Sequence, residues 1–166
     1  GLPPGQISAI TEDTDGGLWF AVNRAVSHPA ATVARFDGRS FVVYSTGDGL
    51  LGSSVSALQF DRAGILWAAT PSGVMRFDRN TLATFDTRDG LDPGAIHDIA
   101  ATDPQSVWFL VDQKLSQFNG REIRKMKQED GLSGAPVNSL HVDTNLDLLV
   151  TASNSPIAGC RYSATN

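Results

Sequence analysis

Two features recur along this chain of 166 residues at the same spacing. A Gly-Leu pair begins at Gly1, Gly49, Gly90 and Gly131, and a large apolar residue of a second predicted strand stands at Trp19, Trp67, Trp108 and Leu149. Both series advance by 48, 41 and 41 residues. Because two independent markers keep one spacing, we interpret the chain as four copies of one structural unit.

The second unit shows what is repeated. Between Asp48 and Leu91, four runs rich in Val, Leu, Trp and Phe are separated by Arg-Ala-Gly, Pro-Ser-Gly and Arg-Asn. Strand-forming residues between turn-forming ones predict four short antiparallel strands. Four strands and a linker in about 40 to 45 residues indicate the blade of a β-propeller.

We therefore predict an all-β fold, in which residues 1–166 form a single β-propeller fragment of about four consecutive four-stranded antiparallel blades. The blade units are residues 1–47, 48–88, 89–129 and 130–166. The last unit lacks its outer strand, so it is an incomplete blade. The expected architecture is an open arc of a larger ring.

The spacing of the repeat assigns the secondary structure of two ambiguous segments. Residues 122–128, EIRKMKQ, resemble a helix when considered alone. However, Phe118 precedes Gly131 by 13 residues, the same separation as in the first two units, so this segment takes the position of an outer strand. The seven extra residues of the first unit fall between the second and third strands, in a loop from Arg24 to Ala31.

Aspartate and glycine mark the turns. Asp13-Thr14-Asp15-Gly16 begins like a calcium-binding EF-hand loop, but Arg24 stands where that loop needs a glutamate, so we predict a hairpin turn. In the linkers we expect glycine to supply a positive φ and the preceding aspartate to cap nearby amides. The tryptophans are expected to fill the space between blades.

Charge and composition exclude several classes of protein. A net charge of −5 without a Lys/Arg cluster argues against nucleic acid or an anionic membrane surface as a partner. No apolar run is long enough to span a bilayer, and the single cysteine, Cys160, can form no internal disulfide. GxSxG, HExxH and CxxC spacings are absent, so we predict no cofactor, no metal site and no catalytic residue.

Propellers bind ligands mostly at the face that carries the linkers and the loops between second and third strands. The second position of each innermost strand lies near the same face, and it is polar in all four units: Ser8, Ser56, His97 and Asn138. Our candidates for a polar ligand site are Asn23, Arg24, His28, Thr70, His97, Asp112, Gln113 and Asn138. The competing interpretation is that they are ordinary solvated loop and channel residues.

The pattern DGL-x4-V-x-x-L-x-x-D-x-x-G-x-L-W-x-x-T-x-x-G-V-x-R-F-D, carried almost in full by residues 48–78, resembles the two-component regulator propeller repeat. The first unit carries it in GLPPGQISAITEDTDGGLWFAV. The resemblance implies the periplasmic sensor region of an inner-membrane signalling protein, with a propeller of about seven blades. A sandwich domain, a membrane helix and a histidine kinase or cyclase would follow it, and the parent would be a dimer that senses a small polar ligand such as an oligosaccharide.

Two other functions stay open. A propeller lyase of the streptogramin-lyase type would place His97 beside a carboxylate and a metal at the channel mouth. A purely structural or protein-interaction propeller would have no polar pocket and no ligand-dependent change in melting temperature.

Overall fold

The structure, a computed structural model, describes residues 1–23, 31–50, 52–78, 81–103, 105–127, 130, 136–145, 147–152 and 160–162. Within these residues the chain forms three four-stranded sheets and one three-stranded sheet, each antiparallel with its strands in sequence order. No helix in this described part is long and apolar enough to cross a membrane.

Each sheet is one blade. Blade 1 contains β1 (Gln6–Glu12), β2 (Leu18–Asn23), β3 (Ala31–Phe36) and β4 (Phe41–Tyr44). Blade 2 contains β5 (Ala57–Phe60), β6 (Leu66–Thr70), β7 (Gly73–Asp78) and β8 (Thr81–Phe85). Blade 3 contains β9 (Ile96–Asp103), β10 (Ser106–Val111), β11 (Lys114–Phe118) and β12 (Ile123–Lys125). Blade 4 contains β13 (Val137–Val142), β14 (Leu148–Ala152) and β15 (Cys160–Tyr162).

The first strand of each blade contacts the first strand of the next, in the order β1, β5, β9, β13. The blades therefore follow one another around an axis, and they form an open arc. This confirms the predicted fold class, including the incomplete last blade.

The helix-like segment of the third unit is an outer strand, as its register predicts. Ile123 to Lys125 pair with Ser116 to Phe118 of β11. Ile123 is buried, while Arg124 and Lys125 are exposed. Charge on this solvent-facing edge discourages pairing with another chain, which explains why the segment is so polar.

The repeated Asp-Gly-Leu marker is a capped turn. Asp48 ends a one-turn 3₁₀ helix. The Asp48 carboxylate accepts two hydrogen bonds from Ser45, one from its backbone N–H at 2.9 Å and one from its hydroxyl at 3.0 Å. Gly49 follows with φ 92°, a conformation that glycine adopts at no steric cost. Leu50 is then buried between blades 1 and 2. Asp86, Asp89, Gly90 and Leu91 repeat the arrangement in the next linker, as predicted.

The turn between the first and second strands is held by one aspartate. In blade 2, Asp61 Oδ1 accepts hydrogen bonds from the backbone N–H groups of Ala63 and Ile65, at 2.9 and 3.0 Å. Asp61 Oδ2 accepts one from Trp67 Nε1 at 3.0 Å. The DxxGxLW pattern is thus a hairpin turn whose first residue also orients the tryptophan.

Blade 1 repeats this turn with an added cation. Asp13 Oδ2 accepts hydrogen bonds from Trp19 Nε1 at 2.8 Å and from Arg35 Nε at 2.6 Å. Burial acts to raise the pKa of Asp13, but the hydrogen bonds from Arg35, Trp19 and the turn amides outweigh it and hold that pKa well below its usual range. The turn is the predicted hairpin and not a calcium loop.

Each oriented tryptophan packs against the following blade. Trp19 lies in one apolar cluster with Val55, Leu58 and Leu66 of blade 2. Trp67 contacts Phe109 and Phe118 of blade 3, with ring centroids 5.8 and 5.2 Å apart. Trp108 is likewise grouped with Val137 and Leu140 of blade 4. The tryptophans fill the seams between blades, as the sequence predicts.

One face of the arc is uncovered. The large hydrophobic residues that are more than a third exposed in the described part of the chain all belong to the first unit: Leu2, Ile7, Ile10, Leu18, Val42 and Val43. Ile10 and Leu18 occupy the positions of Leu58 and Leu66 in blade 2, both of which are buried in the cluster that contains Trp19. Blade 1 therefore presents the kind of surface that a neighbouring blade covers elsewhere in the arc.

We expect Trp67→Phe to lower the free energy of unfolding by about 1–3 kcal/mol. Asp61 is buried, and among the described residues its Oδ2 accepts a side-chain hydrogen bond from Trp67, which phenylalanine cannot replace. Trp19→Phe should cost less, since Arg35 still donates to the same oxygen of Asp13. Urea unfolding of the two variants measures the difference. Equal losses would contradict the role of the indole N–H in blade 2.

Acid should weaken the first turn. A carboxylate whose pKa is lowered in the folded state stabilises the fold when the pH is above its ordinary pKa of 3.8. This contribution is lost as the pH falls below 3.8. Asp13→Asn should therefore be less stable than the parent near neutral pH, by about 1.5–3 kcal/mol, with a gap that narrows below about pH 4. Unfolding measured across this range tests it. A gap that stays the same across this range would contradict the prediction.

Candidate functional site

Four of the predicted site residues meet in one recess at the linker-bearing face of the arc. His97, Asp112 and Gln113 of blade 3 and Asn138 of blade 4 line an open space of about 310 Å³. Leu110 and Val137 form its apolar floor. The recess therefore joins an imidazole, a carboxylate and two carboxamides from adjacent blades.

A bulge in the first strand directs two of these side chains. In β9 the pairing with β10 passes from Ile96 to Asp98 and skips His97, and in β13 it skips Asn138 in the same way. A bulged residue leaves the ladder and its side chain is turned away from the regular alternation. This local irregularity brings His97 and Asn138 to the recess.

The equivalent position serves a structural purpose in the first two blades. Ser8, which the β1 pairing skips, donates its hydroxyl to the Val55 carbonyl at 2.6 Å. Ser56, just before β5, donates to the Ile96 carbonyl, also at 2.6 Å. These short side chains tie each blade to the next. In blade 3 the larger His97 takes this position, and its side chain is 57% exposed.

Asp112 is held by the backbone that precedes β9. Its N–H donates to the Ala95 carbonyl at 2.8 Å, and its Oδ1 accepts from the Ala95 N–H at 3.1 Å. Asp112 has φ 50°, a left-handed conformation that aspartate tolerates better than most residues. A Cβ at Gly94 would lie 2.1 Å from Asp112 Oδ2, so only glycine leaves space for the carboxylate.

This support places Asp112 Oδ1 3.6 Å from His97 Nε2. At that distance the two groups form an ion pair when the imidazole is protonated. The Gln113 carbonyl accepts a hydrogen bond from the Val137 N–H at 3.2 Å, which joins blades 3 and 4 directly beneath the recess. Gly94 and Ala95 were missed as supporting residues, although Asp-Pro-Gly at residues 92–94 is a recognisable turn signal.

Two other predicted site residues, Asn23 and Thr70, do not join this recess. Thr70 is buried, and its hydroxyl donates to the Gly73 carbonyl at 2.9 Å within the β6–β7 turn. The Asn23 side chain spans the seam between blades 1 and 2: Nδ2 donates to the Val55 carbonyl at 3.0 Å, and Oδ1 accepts from the Val55 N–H at 2.8 Å. Arg24 and His28 lie outside the described residues.

The recess offers both hydrogen-bond donors and hydrogen-bond acceptors. The described residues contain no group of three or more His, Cys, Asp or Glu side chains that could hold a metal. Asp112 is an acceptor, whereas Gln113 and Asn138 each carry both donors and acceptors. An imidazole can do either, according to its protonation.

The fold identifies the class of protein: an arc of β-propeller blades. Residues 1–24 match the family model described as Two component regulator propeller, so the first blade carries a repeat of that family and the resemblance in sequence is confirmed. No curated protein shows significant overall similarity in sequence to this chain.

Solved propellers of several functions share the fold. The chain is similar to the extracellular domain assigned to the hybrid two component system BT3049 of B. thetaiotaomicron, with TM-score 0.71 and 15% identity over 96% of this chain and 22% of that one. It is also similar to virginiamycin B lyase from Staphylococcus aureus, solved as an inactive variant with quinupristin, with TM-score 0.65 and 16% identity over 99% and 57%. YCF48 from Cyanidioschyzon merolae follows, with TM-score 0.64 and 15% identity over 99% and 53%. The chain thus spans between about a fifth and just over half of these structures.

The two hydrogen bonds of Asn23 predict a stability effect. Asn23→Ala should lower the free energy of unfolding by about 1–3 kcal/mol, because the buried Val55 N–H loses the Asn23 acceptor while the Val55 carbonyl keeps the Ser8 hydroxyl. His97→Ala, at an exposed side chain, should change it by less than about 0.5 kcal/mol. Thermal and urea unfolding measure both. A stable Asn23→Ala variant would return Asn23 to the list of ligand-binding candidates.

Proposed function

We propose that this chain is the ligand-binding part of an extracytoplasmic sensor propeller in a two-component or related signalling protein. In this proposal the recess of His97, Asp112, Gln113 and Asn138 binds a small polar ligand such as an oligosaccharide. The single observation that carries it is the convergence of these four side chains, from two blades, on one open recess. The repeat match and the similarity to the BT3049 domain support the wider context.

The chemistry of the recess favours a sugar-like ligand. Each hydroxyl of a sugar both donates and accepts, and the carboxylate and two carboxamides offer both roles at close spacing. Leu110 and Val137 supply an apolar floor against which the C–H face of a pyranose can pack. Four of the six lining residues are polar, so specificity would come from hydrogen bonds to these groups.

The recess also suggests how binding is transmitted. Its polar groups come from blades 3 and 4, so a ligand that contacts both adds a bridge across their seam. In this proposal blades 3 and 4 can take two relative positions, and the ligand favours the one that brings its polar partners together. The equilibrium between the two positions shifts by the difference in the ligand's affinity for them. In the parent protein, we expect this shift to reach an adjacent domain, a partner subunit of a dimer and an output domain across the inner membrane.

The test is calorimetric titration of the chain with a panel of neutral oligosaccharides, with melting temperature as a second readout. At least one member should bind, and His97→Ala and Asn138→Ala should each weaken it by about tenfold or more. Ser8→Ala, at the equivalent position of blade 1, is the matched control, because its hydroxyl bonds the Val55 carbonyl away from the recess, and it should bind as the parent does. Binding that survives both recess substitutions would refute the assignment of the site.

A lyase remains the second candidate, because His97 lies beside a carboxylate as that activity requires. A carboxylate-oriented imidazole can act as a general base. Incubating the chain with quinupristin and Mg²⁺, and following the antibiotic by liquid chromatography with fragmentation mass spectrometry, separates the two functions, because ring opening by elimination leaves the mass unchanged. A sensor leaves quinupristin intact, whereas ring opening that is lost in His97→Ala would replace the sensor proposal with an enzyme.

A further inference from the structure

A second recess lies on the opposite face of the arc, at the seam between blades 2 and 3. It has a volume of about 450 Å³ and is lined by Arg76, Phe85, Gln105, Phe118, Gly120 and Arg121. Gln105 and Arg121 belong to the β9–β10 and β11–β12 turns, whereas the linkers and the His97 recess are at the other ends of the strands. Two guanidinium groups thus share one recess in a chain whose net charge is −5.

The preceding seam provides an internal comparison. Arg35 and Arg76 hold equivalent positions, since each is paired with the tryptophan of the neighbouring strand, Trp19 or Trp67. The recess at the seam of blades 1 and 2 is lined by Asp13, Asp15 and Arg35, and its arginine is bound to Asp13 at 2.6 Å. Its cation is therefore neutralised from within.

Arg76 is not neutralised in the same way. Asp61, the counterpart of Asp13, is buried and uses its Oδ2 for the indole of Trp67. Arg76 instead lies 5.9 Å from the centre of the Trp67 ring, and its nearest ion-pair partner in the described chain is Asp78 at 3.6 Å, which is 47% exposed. A pair at this distance and exposure is weak, so much of the charge of Arg76 stays available.

Arg121 adds the second charge. It follows Gly120 in the β11–β12 turn, where Asn119 Oδ1 accepts a hydrogen bond from the Arg121 backbone N–H at 3.0 Å. Among the residues that the structure describes, no carboxylate lies within ion-pair distance of its side chain. A Cβ at Gly120 would be 3.0 Å from Gln105 Cγ, so the glycine lets Gln105 pack closely against the turn.

We propose that this recess binds a small oxyanion, a carboxylate carried on an apolar body. Guanidinium groups bind carboxylates through planar pairs of hydrogen bonds, and the Gln105 amide can add a neutral donor. The Phe85 and Phe118 rings, whose centroids are 5.2 Å apart, form an apolar wall for the rest of the ligand.

The experiment is calorimetric titration of the full 166-residue chain with benzoate, sulfate and benzyl alcohol. Benzoate should bind at one site, with sulfate and the neutral alcohol each at least about tenfold weaker. Added salt should weaken benzoate binding. No detectable benzoate binding would overturn the proposal, and sulfate binding equal to that of benzoate would overturn the apolar part of it.

Arg121→Gln should lower the affinity for benzoate by about tenfold or more. Arg39→Gln is the matched control, because Asp37-Gly38-Arg39 occupies the same turn in blade 1 as Asn119-Gly120-Arg121 does in blade 3. It should leave the affinity unchanged. Arg76→Gln should lower the affinity for benzoate as Arg121→Gln does. Because Arg76 also packs near Trp67, the melting temperature of Arg76→Gln is measured as well. If Arg76→Gln is unfolded, the test rests on Arg121→Gln. Benzoate binding unaffected by Arg121→Gln would place the anion elsewhere and refute the site.

Discussion

The hydrogen bond from an indole N–H to a turn aspartate is the interaction on which the arc depends. Asp61 closes the β5–β6 turn with one oxygen and holds Trp67 with the other. The tryptophan then packs on the rings of the next blade. One carboxylate thus couples the local hairpin to the seam between blades. Blade 1 repeats the device in full, and blade 4 keeps the turn at Asp143 but has Leu149 in place of the tryptophan.

Much of the fold could be predicted because these couplings are local in sequence. The aspartate, glycine and tryptophan of a turn lie within seven residues, so the repeat shows them directly. The register of the regular blades also identified residues 122–128 as the segment containing an outer strand, although their helix propensity is high. The linker Asp-Gly pairs were interpreted correctly for the same reason, since capping depends on residues three apart.

The candidate site was predictable only in part, because it depends on contacts between blades. His97, Asp112, Gln113 and Asn138 were expected on the correct face, and the structure brings them together. The same reasoning included Asn23 and Thr70, which make structural hydrogen bonds instead. Their polarity alone could not show this difference. It depends on the Val55 backbone in the next blade for Asn23 and on the tightness of one turn for Thr70.

Departures from the repeat show how one scaffold can serve different purposes at equivalent positions. At the second position of the innermost strand, a serine hydroxyl in blades 1 and 2 reaches the backbone of the next blade, while His97 in blade 3 remains exposed. At the arginine of the third strand, Arg35 is bound to Asp13 at 2.6 Å, whereas the nearest ion-pair partner of Arg76 among the described residues is Asp78 at 3.6 Å. In both comparisons one residue is used to hold the seam, and its counterpart keeps its polar group at least partly exposed to solvent. Since each seam is built by two blades, both recesses exist only where neighbouring blades are packed together.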